Sequence, residues 1–130
     1  MEPGLAFGTG THETTRLCLE LIERYLSPDS KLLDVGCGSG ILSVAGLLLG
    51  AKEAIGIDID ALAVKTAKEN ARLNGVEARF TGICGDLASK ISGQFQLVAA
   101  NIVADVVIQL TQDVPRFLAP DGVYIISGII

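Results

Sequence analysis

The chain has 130 residues, of which 49% are hydrophobic and 19% charged, as is typical of one folded domain with its own core. Its formal net charge of -5 argues against a nucleic-acid surface, which needs clustered lysine and arginine, so we expect no direct nucleic-acid partner. Its apolar runs are too short to span a membrane, and its start, MEPGLAFG, lacks the features of a secretory signal. We therefore expect no membrane association and a cytoplasmic location.

The cysteines predict neither disulfides nor a metal site. Cys18, Cys37 and Cys84 are an odd number, lie far apart and show no CxxC spacing, and the chain contains one histidine. We expect three reduced thiols and no bound metal.

Apolar periodicity predicts helices and strands that alternate along the chain. An amphipathic helix is predicted over 13–26, after the glycine- and threonine-rich stretch FGTGTHETT at 7–15. The later predicted elements, in chain order, are a strand at 31–35, a helix at 41–49, a strand at 53–58, a helix at 61–73 with Asp60 as its N-cap, strands at 78–82 and 96–100, a helix at 104–118, a turn at 120–122 and a strand at 123–129. This order predicts an α/β fold with a doubly wound, mainly parallel sheet.

The strongest local signal is LLDVGCGSG at 32–40, a glycine-rich loop between a predicted strand and a predicted helix. Its glycines are Gly36, Gly38 and Gly40. Such a loop lets a ligand approach the backbone at the carboxyl edge of the sheet, where doubly wound folds bind ligands. The dinucleotide fingerprint GxGxxG is not met, because Ile41 stands in place of its third glycine. Asp34 would repel a pyrophosphate, but it suits a ligand with an ammonium group, such as S-adenosylmethionine.

Two further carboxylates follow predicted strands. Asp58 ends the second strand, where a carboxylate can accept both ribose hydroxyls of an adenosine. Asp86 follows the third strand and could bind an adenine amino group, although a plain turn residue fits that position equally well. Capping of the next helix is the alternative role for Asp58 and Asp60, and it suits Asp60 better.

These residues, with motifs along the rest of the chain, resemble the class I S-adenosylmethionine-dependent methyltransferases and, within them, the ribosomal protein L-eleven (L11) methyltransferase family. The motifs are PGLAFGTGTHETT, DVGCGSGIL, GAKEAIGIDID, ENARLNG, ANIVADV and SGII. DVGCGSG is typical of the whole superfamily, whereas FGTGTH together with Asn-Ile-Val-Ala at 101–104 is far more specific. The resemblance implies a Rossmann-like class I methyltransferase fold with strand order 3-2-1-4-5.

The resemblance also implies a reaction and a cofactor. Methyl groups would pass from S-adenosylmethionine to amines of a ribosomal protein, namely lysine side chains and an α-amino group, with S-adenosylhomocysteine as product. Matching motif positions imply cofactor contacts at Thr15, Gly36, Asp58 and Asn101, and the loop at 7–15 would be a flap over the cofactor. The role of His12 stays open, since an imidazole that only bonds backbone is an equal alternative.

Asn101, at the end of the fourth predicted strand, is the predicted catalytic residue. An attacking amine must be neutral and aligned, and an amide oxygen can accept its N–H and orient the lone pair. Other amino-methylating enzymes have Asn-Pro-Pro-aromatic here, and the change at 102–104 removes a stacking partner for a nucleobase. An aliphatic amine is therefore favoured. Helix capping is the alternative role for Asn101.

The family resemblance extends beyond this chain. It implies a separate N-terminal domain that captures the ribosomal protein, and a final strand pair after SGII. We expect both to be missing from these 130 residues, which would form a single cofactor-binding domain, 1–130. The alternatives are a methyltransferase for another protein or small-molecule amine, a non-catalytic cofactor-binding fragment, and a dinucleotide oxidoreductase.

Overall fold

The computed structural model describes residues 8–86, 91–101 and 114–127. Helices and strands alternate along them, with two short 3-10 helices at Glu77–Arg79 and Val114–Arg116. The longer elements are α1 (Gly8–Tyr25), β1 (Lys31–Val35), α2 (Ile41–Leu48), β2 (Glu53–Asp58), α3 (Ala61–Leu73), β3 (Phe80–Cys84), β4 (Phe95–Asn101) and β5 (Leu118–Ser127). In these ranges, no helix is both long and apolar enough to cross a membrane.

The described strands form one parallel sheet in the order β3-β2-β1-β4-β5. This confirms the predicted α/β class and the strand order 3-2-1-4-5. β1 is central, with Asp34 opposite Gly56 of β2 and Ala99 of β4. Strand order reverses at β1, so a crevice is expected outside its carboxyl end.

Alternate residues of the central strands build two apolar clusters, one on each side of the sheet. Leu32 and Leu97 belong to the cluster covered by α1, α2 and α3, whereas Leu33 and Val98 belong to the cluster on the opposite side. All four side chains are fully buried. Because both faces of β1 are covered, the strand is apolar except for Lys31 at its start and Asp34, and the position of Asp34 is therefore set by the core.

Several predicted bounds are confirmed. The strands at 31–35 and 53–58 and the helix at 61–73 match the structure, and the helix at 41–49 ends one residue earlier, at Leu48. Asp60 is the N-cap of α3, and its side chain accepts a hydrogen bond from the Leu62 N–H at 3.0 Å. Gly50 and Gly75 follow α2 and α3 with φ of 114° and 73°, a backbone conformation that suits glycine.

The predicted start of the first helix is wrong. The sequence placed a loop before residue 13, whereas α1 begins at Gly8. Glycine and threonine have weak helix propensities: each is less favourable in a helix than alanine by about 0.5–1 kcal/mol. Each residue added to an existing helix nevertheless gains a backbone hydrogen bond, so an amphipathic helix can extend backwards through them. The predicted flap at 7–15 is thus helical from Gly8 onward, and residue 7 lies outside the described residues.

The predicted bounds of β3 are shifted, and those of β4 are short by one residue at each end. Residues 77–79 form a 3-10 turn, so the strand predicted at 78–82 begins at Phe80. Arg79 holds this turn, because its guanidinium donates to Ala51 O at 2.6 Å and Leu47 O at 3.2 Å. β4 spans Phe95–Asn101 rather than 96–100.

The last predicted helix and strand also differ from the structure. Most of the helix predicted at 104–118 lies outside the described residues, but its end is wrong, since a 3-10 helix is followed by β5 from Leu118. The turn predicted at 120–122 lies within β5. Pairing there jumps from Leu118 opposite Phe95 to Val123 opposite Leu97, so the extra residues bulge within the strand. Residues 128 and 129 of the strand predicted at 123–129 lie outside the described residues.

Candidate functional site

The loop after β1 is built from glycines in the left-handed region. Gly36, Gly38 and Gly40 have φ of 69°, 52° and 82°, where a side chain would introduce strain. The N–H groups of Gly36 and Cys37 both donate to Ile57 O, at 2.8 and 3.1 Å. The loop is therefore anchored on the end of β2, at the carboxyl edge of the sheet where the sequence predicted it.

Gly40 is required by packing as well as by backbone angle. A Cβ at Gly40 would lie 2.8 Å from the Cβ of Ala67 in α3. Beside this contact, the Asn70 side chain donates to Ser39 O at 2.8 Å. Asn70 lies in the ENARLNG motif, but its role could not be predicted from the sequence, because nothing in the local pattern indicates a partner 31 residues away. The loop is thus held from β2 and from α3.

Asp58 ends β2 and is half-buried. Its Oδ2 accepts the Gly38 N–H at 3.0 Å, and its Oδ1 accepts the Asp60 N–H at 2.9 Å. The helix cap itself is Asp60, so capping does not account for Asp58. A carboxylate oxygen has two acceptor positions, and each oxygen of Asp58 can accept one further bond from a ligand hydroxyl.

Asp34 is a buried carboxylate close behind the loop. Its exposed fraction is 1%, and its Oδ2 accepts both the Ser43 hydroxyl at 2.7 Å and the Ser43 N–H at 3.2 Å. Burial raises the pKa of Asp34 to about 6. The Ser43 bonds lower this pKa and the charge of Asp58 raises it, each by less than burial does. Because Ser43 takes Oδ2, a ligand group would be accepted at Oδ1. A bound cation there would offset the cost of burying the charge.

The thiol of Cys37 lies within the same loop. Burial, and then the charges of Asp34 and Asp58, raise its pKa well above the usual range. A raised pKa keeps the thiol protonated at physiological pH, and this disfavours a nucleophilic role. Cys18 is also buried, whereas Cys84 is exposed.

The other predicted site residues lie on several elements. Thr15 is buried within α1 at 4% exposed, and the backbone of His12 belongs to the same helix. Asp86 is exposed and follows Gly85, whose N–H donates to the backbone carbonyl of Asp58 at 3.0 Å. Asn101 is the last residue of β4, one beyond the position that pairs with Val35 of β1. The carboxyl ends of β2, β1 and β4 therefore meet at one edge.

A separate groove of about 1030 Å³ lies between α3 and the edge strand β3. Its lining includes Lys65, Lys68 and Phe80, together with the ion pair of Glu69 and Arg72. None of the loop glycines and neither Asp34 nor Asp58 lines it. It is therefore distinct from the edge at which the predicted site residues meet.

Comparison with known proteins gives one consistent family. A family model described as "Ribosomal protein L11 methyltransferase (PrmA)" matches residues 1–130. Two curated relatives described as ribosomal protein L11 methyltransferase, from Caldicellulosiruptor bescii and Alkaliphilus oremlandii, are 51% and 49% identical over 130 residues. In each case all of this chain matches 42% of the relative, so the chain spans well under half the length of the curated relatives it matches.

Solved structures agree with the observed fold. A ribosomal protein L11 methylase from Lactobacillus delbrueckii subsp. bulgaricus has a TM-score of 0.86 and 38% identity, covering 91% of this chain and 61% of that one. A SAM-dependent methyltransferase from Thiobacillus denitrificans, in complex with S-adenosyl-L-homocysteine, has a TM-score of 0.68 and 24% identity, covering 85% of this chain and 47% of that one. At that identity the second likeness shows the fold alone.

The buried charge of Asp34 predicts a pH-dependent stability. Its pKa in the folded chain, about 6, exceeds its ordinary value of 3.8, so the folded state binds the proton more tightly than the unfolded state. The free energy of unfolding should therefore fall as pH rises from about 4 to about 6 and level off above. We expect Asp34→Asn to abolish this fall, which on its own is on the order of 3 kcal/mol.

Urea unfolding followed by circular dichroism between pH 4 and pH 7 measures the effect. Asp60→Asn is the matched control, because it makes the same exchange at an exposed position where asparagine also caps a helix. We expect that control to keep the wild-type pH profile. An Asp34→Asn profile with the wild-type slope would show that Asp34 is not the titrating group.

Proposed function

The chain belongs to the ribosomal protein L11 methyltransferase family, and from that premise we propose that it is the cofactor-binding core of an S-adenosylmethionine-dependent protein N-methyltransferase. The observation that carries the proposal is the bond between the Gly38 N–H and the Asp58 carboxylate, at 3.0 Å. This bond joins the glycine loop to a carboxylate that can accept ribose hydroxyls, at the carboxyl edge of a parallel sheet. Doubly wound folds bind nucleoside ligands at that edge.

The space and the charges at this edge fit S-adenosylmethionine. A Cβ at Gly38 would meet no atom within 4 Å, so there is room for a ligand against the loop backbone. We propose that Asp58 accepts the ribose hydroxyls, that Asp34 binds the ammonium group through Oδ1, and that Asp86 contacts the adenine amino group. Gly36 and Gly40 shape the loop, and Thr15 contributes a further contact from α1.

The charge of Asp34 disfavours a dinucleotide. A pyrophosphate beside the loop would lie near this carboxylate, and like charges at that range repel. The positively charged sulfonium and ammonium groups of S-adenosylmethionine are attracted instead. This electrostatic difference supports a methyltransferase over an oxidoreductase.

Bound S-adenosylmethionine would supply an activated methyl group. The task of the chain is then to hold the acceptor amine neutral, dry and in line. We propose that Asn101 does so from the end of β4, which neighbours β1, by accepting an amine N–H at its side-chain oxygen. No strong base is required, because the amine can lose its proton to water.

The substrate and the location are proposed from the family. We propose that the acceptors are lysine side chains and an α-amino group of ribosomal protein L11, as the names of the relatives suggest. The relatives are more than twice as long as this chain, and we propose that a separate N-terminal domain of the whole protein captures the substrate. A ribosomal protein is made in the cytoplasm, which is where we place the enzyme.

Asp58→Ala tests the cofactor half of the proposal. Each bond to the charged acceptor contributes about 1.5–3 kcal/mol, so losing two should weaken binding of S-adenosylhomocysteine at least about 100-fold. Calorimetric titration of this chain measures the affinity. Asp60→Ala is the matched control: it removes an exposed helix cap from the next element, and we expect it to change the affinity less than about threefold. Equal losses in the two variants, or equally tight binding of NAD by the wild type, would contradict the assignment.

Asn101→Ala tests the catalytic half and requires the whole protein. We expect turnover to fall about 100-fold or more while the affinity for cofactor changes less than about threefold, because a positioning group is lost from the reacting centre. Methyl transfer and calorimetric titration provide the two readouts. Asn74→Ala makes the same exchange at an exposed position and should leave both unchanged. Parallel loss of binding and turnover in Asn101→Ala would overturn a catalytic role.

A further inference from the structure

We propose that Asn70 is a positioning residue of the cofactor site: it fixes the Ser39–Gly40 peptide from α3 and so keeps the glycine loop in its binding conformation. The inference rests on the proposed function only for the identity of the ligand. Its basis is a contact between two segments 31 residues apart, at a position where the loop conformation depends on backbone angles that few residues adopt.

The Ser39–Gly40 peptide is held at both ends. Its carbonyl accepts a bond from Asn70 Nδ2 at 2.8 Å, and its N–H, which belongs to Gly40, donates to Cys37 O at 2.8 Å. A peptide group is planar, so fixing its oxygen and its N–H fixes the orientation of the whole unit. Without Asn70, the oxygen loses its partner on α3, and only one of these two hydrogen bonds, from the Gly40 N–H to Cys37 O, remains to hold the peptide.

The Ser39–Gly40 peptide lies immediately before α2. Gly40 is the N-cap of α2, with φ 82° and ψ 16°, and as a glycine it offers no side-chain cap. The Gly40 carbonyl accepts the Val44 N–H at 2.9 Å, and Ser43 in the same turn binds Asp34. A change at Gly40 would therefore reach both the loop and the buried carboxylate.

α3 is suited to this role because it also carries the other half of the site. Its N-cap, Asp60, donates its N–H to Asp58, and Ala67 packs against Gly40 three residues before Asn70, on the same side of the helix. Ala67 is fully buried. One helix thus sets the relative positions of the ribose acceptor and the glycine loop.

Asn74 provides a matched comparison within α3. Its Nδ2 also donates to a backbone carbonyl at 2.8 Å, but the acceptor is Asn70 O in the same helix and the side chain is exposed. Asn70→Ala and Asn74→Ala therefore each remove one side-chain hydrogen bond of the same length. Only the first removes a bond between α3 and the loop.

The experiment combines titration with S-adenosylhomocysteine and amide hydrogen exchange of this chain. We expect Asn70→Ala to weaken binding roughly three- to tenfold, as the loss of one partly buried neutral hydrogen bond predicts, and Asn74→Ala less than about twofold. Without ligand, the Gly40 amide should exchange faster in Asn70→Ala, while the amides of Leu33 and Val98 in the sheet keep wild-type rates. A purely structural role would accelerate all of them.

Asn70→Asp provides a second variant of the same shape. It places an oxygen against Ser39 O instead of a donor, and we expect it to weaken binding at least as much as Asn70→Ala and to speed Gly40 exchange. Unchanged Gly40 exchange in both variants, or equal effects at 70 and 74, would overturn the inference. Failure of the wild-type chain to bind S-adenosylhomocysteine would overturn the proposed function, and it would be seen before any variant is compared.

Discussion

The carboxylate of Asp58 connects the parts from which the site is built. It accepts the Gly38 N–H on one oxygen and the Asp60 N–H on the other, and so joins the loop after β1 to the end of β2 and the start of α3. These bonds fix the carboxylate in place before a ligand arrives, which lowers the entropic cost of binding. Since each oxygen retains an acceptor position, the same group can hold the loop and receive a ribose.

The second carboxylate shows a compromise between stability and binding. Asp34 lies in the central strand, where both faces of the sheet are covered, and its burial at 1% exposed raises its pKa to about 6. An ionised group there destabilises the fold at neutral pH, and the two bonds from Ser43 reduce that cost. A cationic ligand would reduce it further. The position of Asp34 thus favours a ligand such as S-adenosylmethionine over any anionic nucleotide.

The sequence predicted those features that local chemistry determines. Apolar strands, glycine stops and the Asp60 cap are set by neighbouring residues, and their bounds agree with the structure. Long-range contacts determine the rest. Arg79 donates hydrogen bonds to carbonyls near residue 50, so β3 begins later than the sequence predicts. Asn70 donates to Ser39 O, 31 residues away along the chain. Neither contact has a local signal in the sequence. The start of α1 was missed because helix extension outweighed the weak propensities at 8–12. The family was predicted from motifs that lie along the whole chain, and no single element determines it.

The most direct test is a crystal structure of this chain with S-adenosylhomocysteine. We expect both ribose hydroxyls within hydrogen-bond distance of the Asp58 carboxylate, with the Gly38 bond to that carboxylate retained and the ligand ammonium group beside Asp34. A ribose bound elsewhere, for example in the groove between α3 and β3, or a loop that must rearrange before Asp58 can reach the ligand, would rule out this role for Asp58.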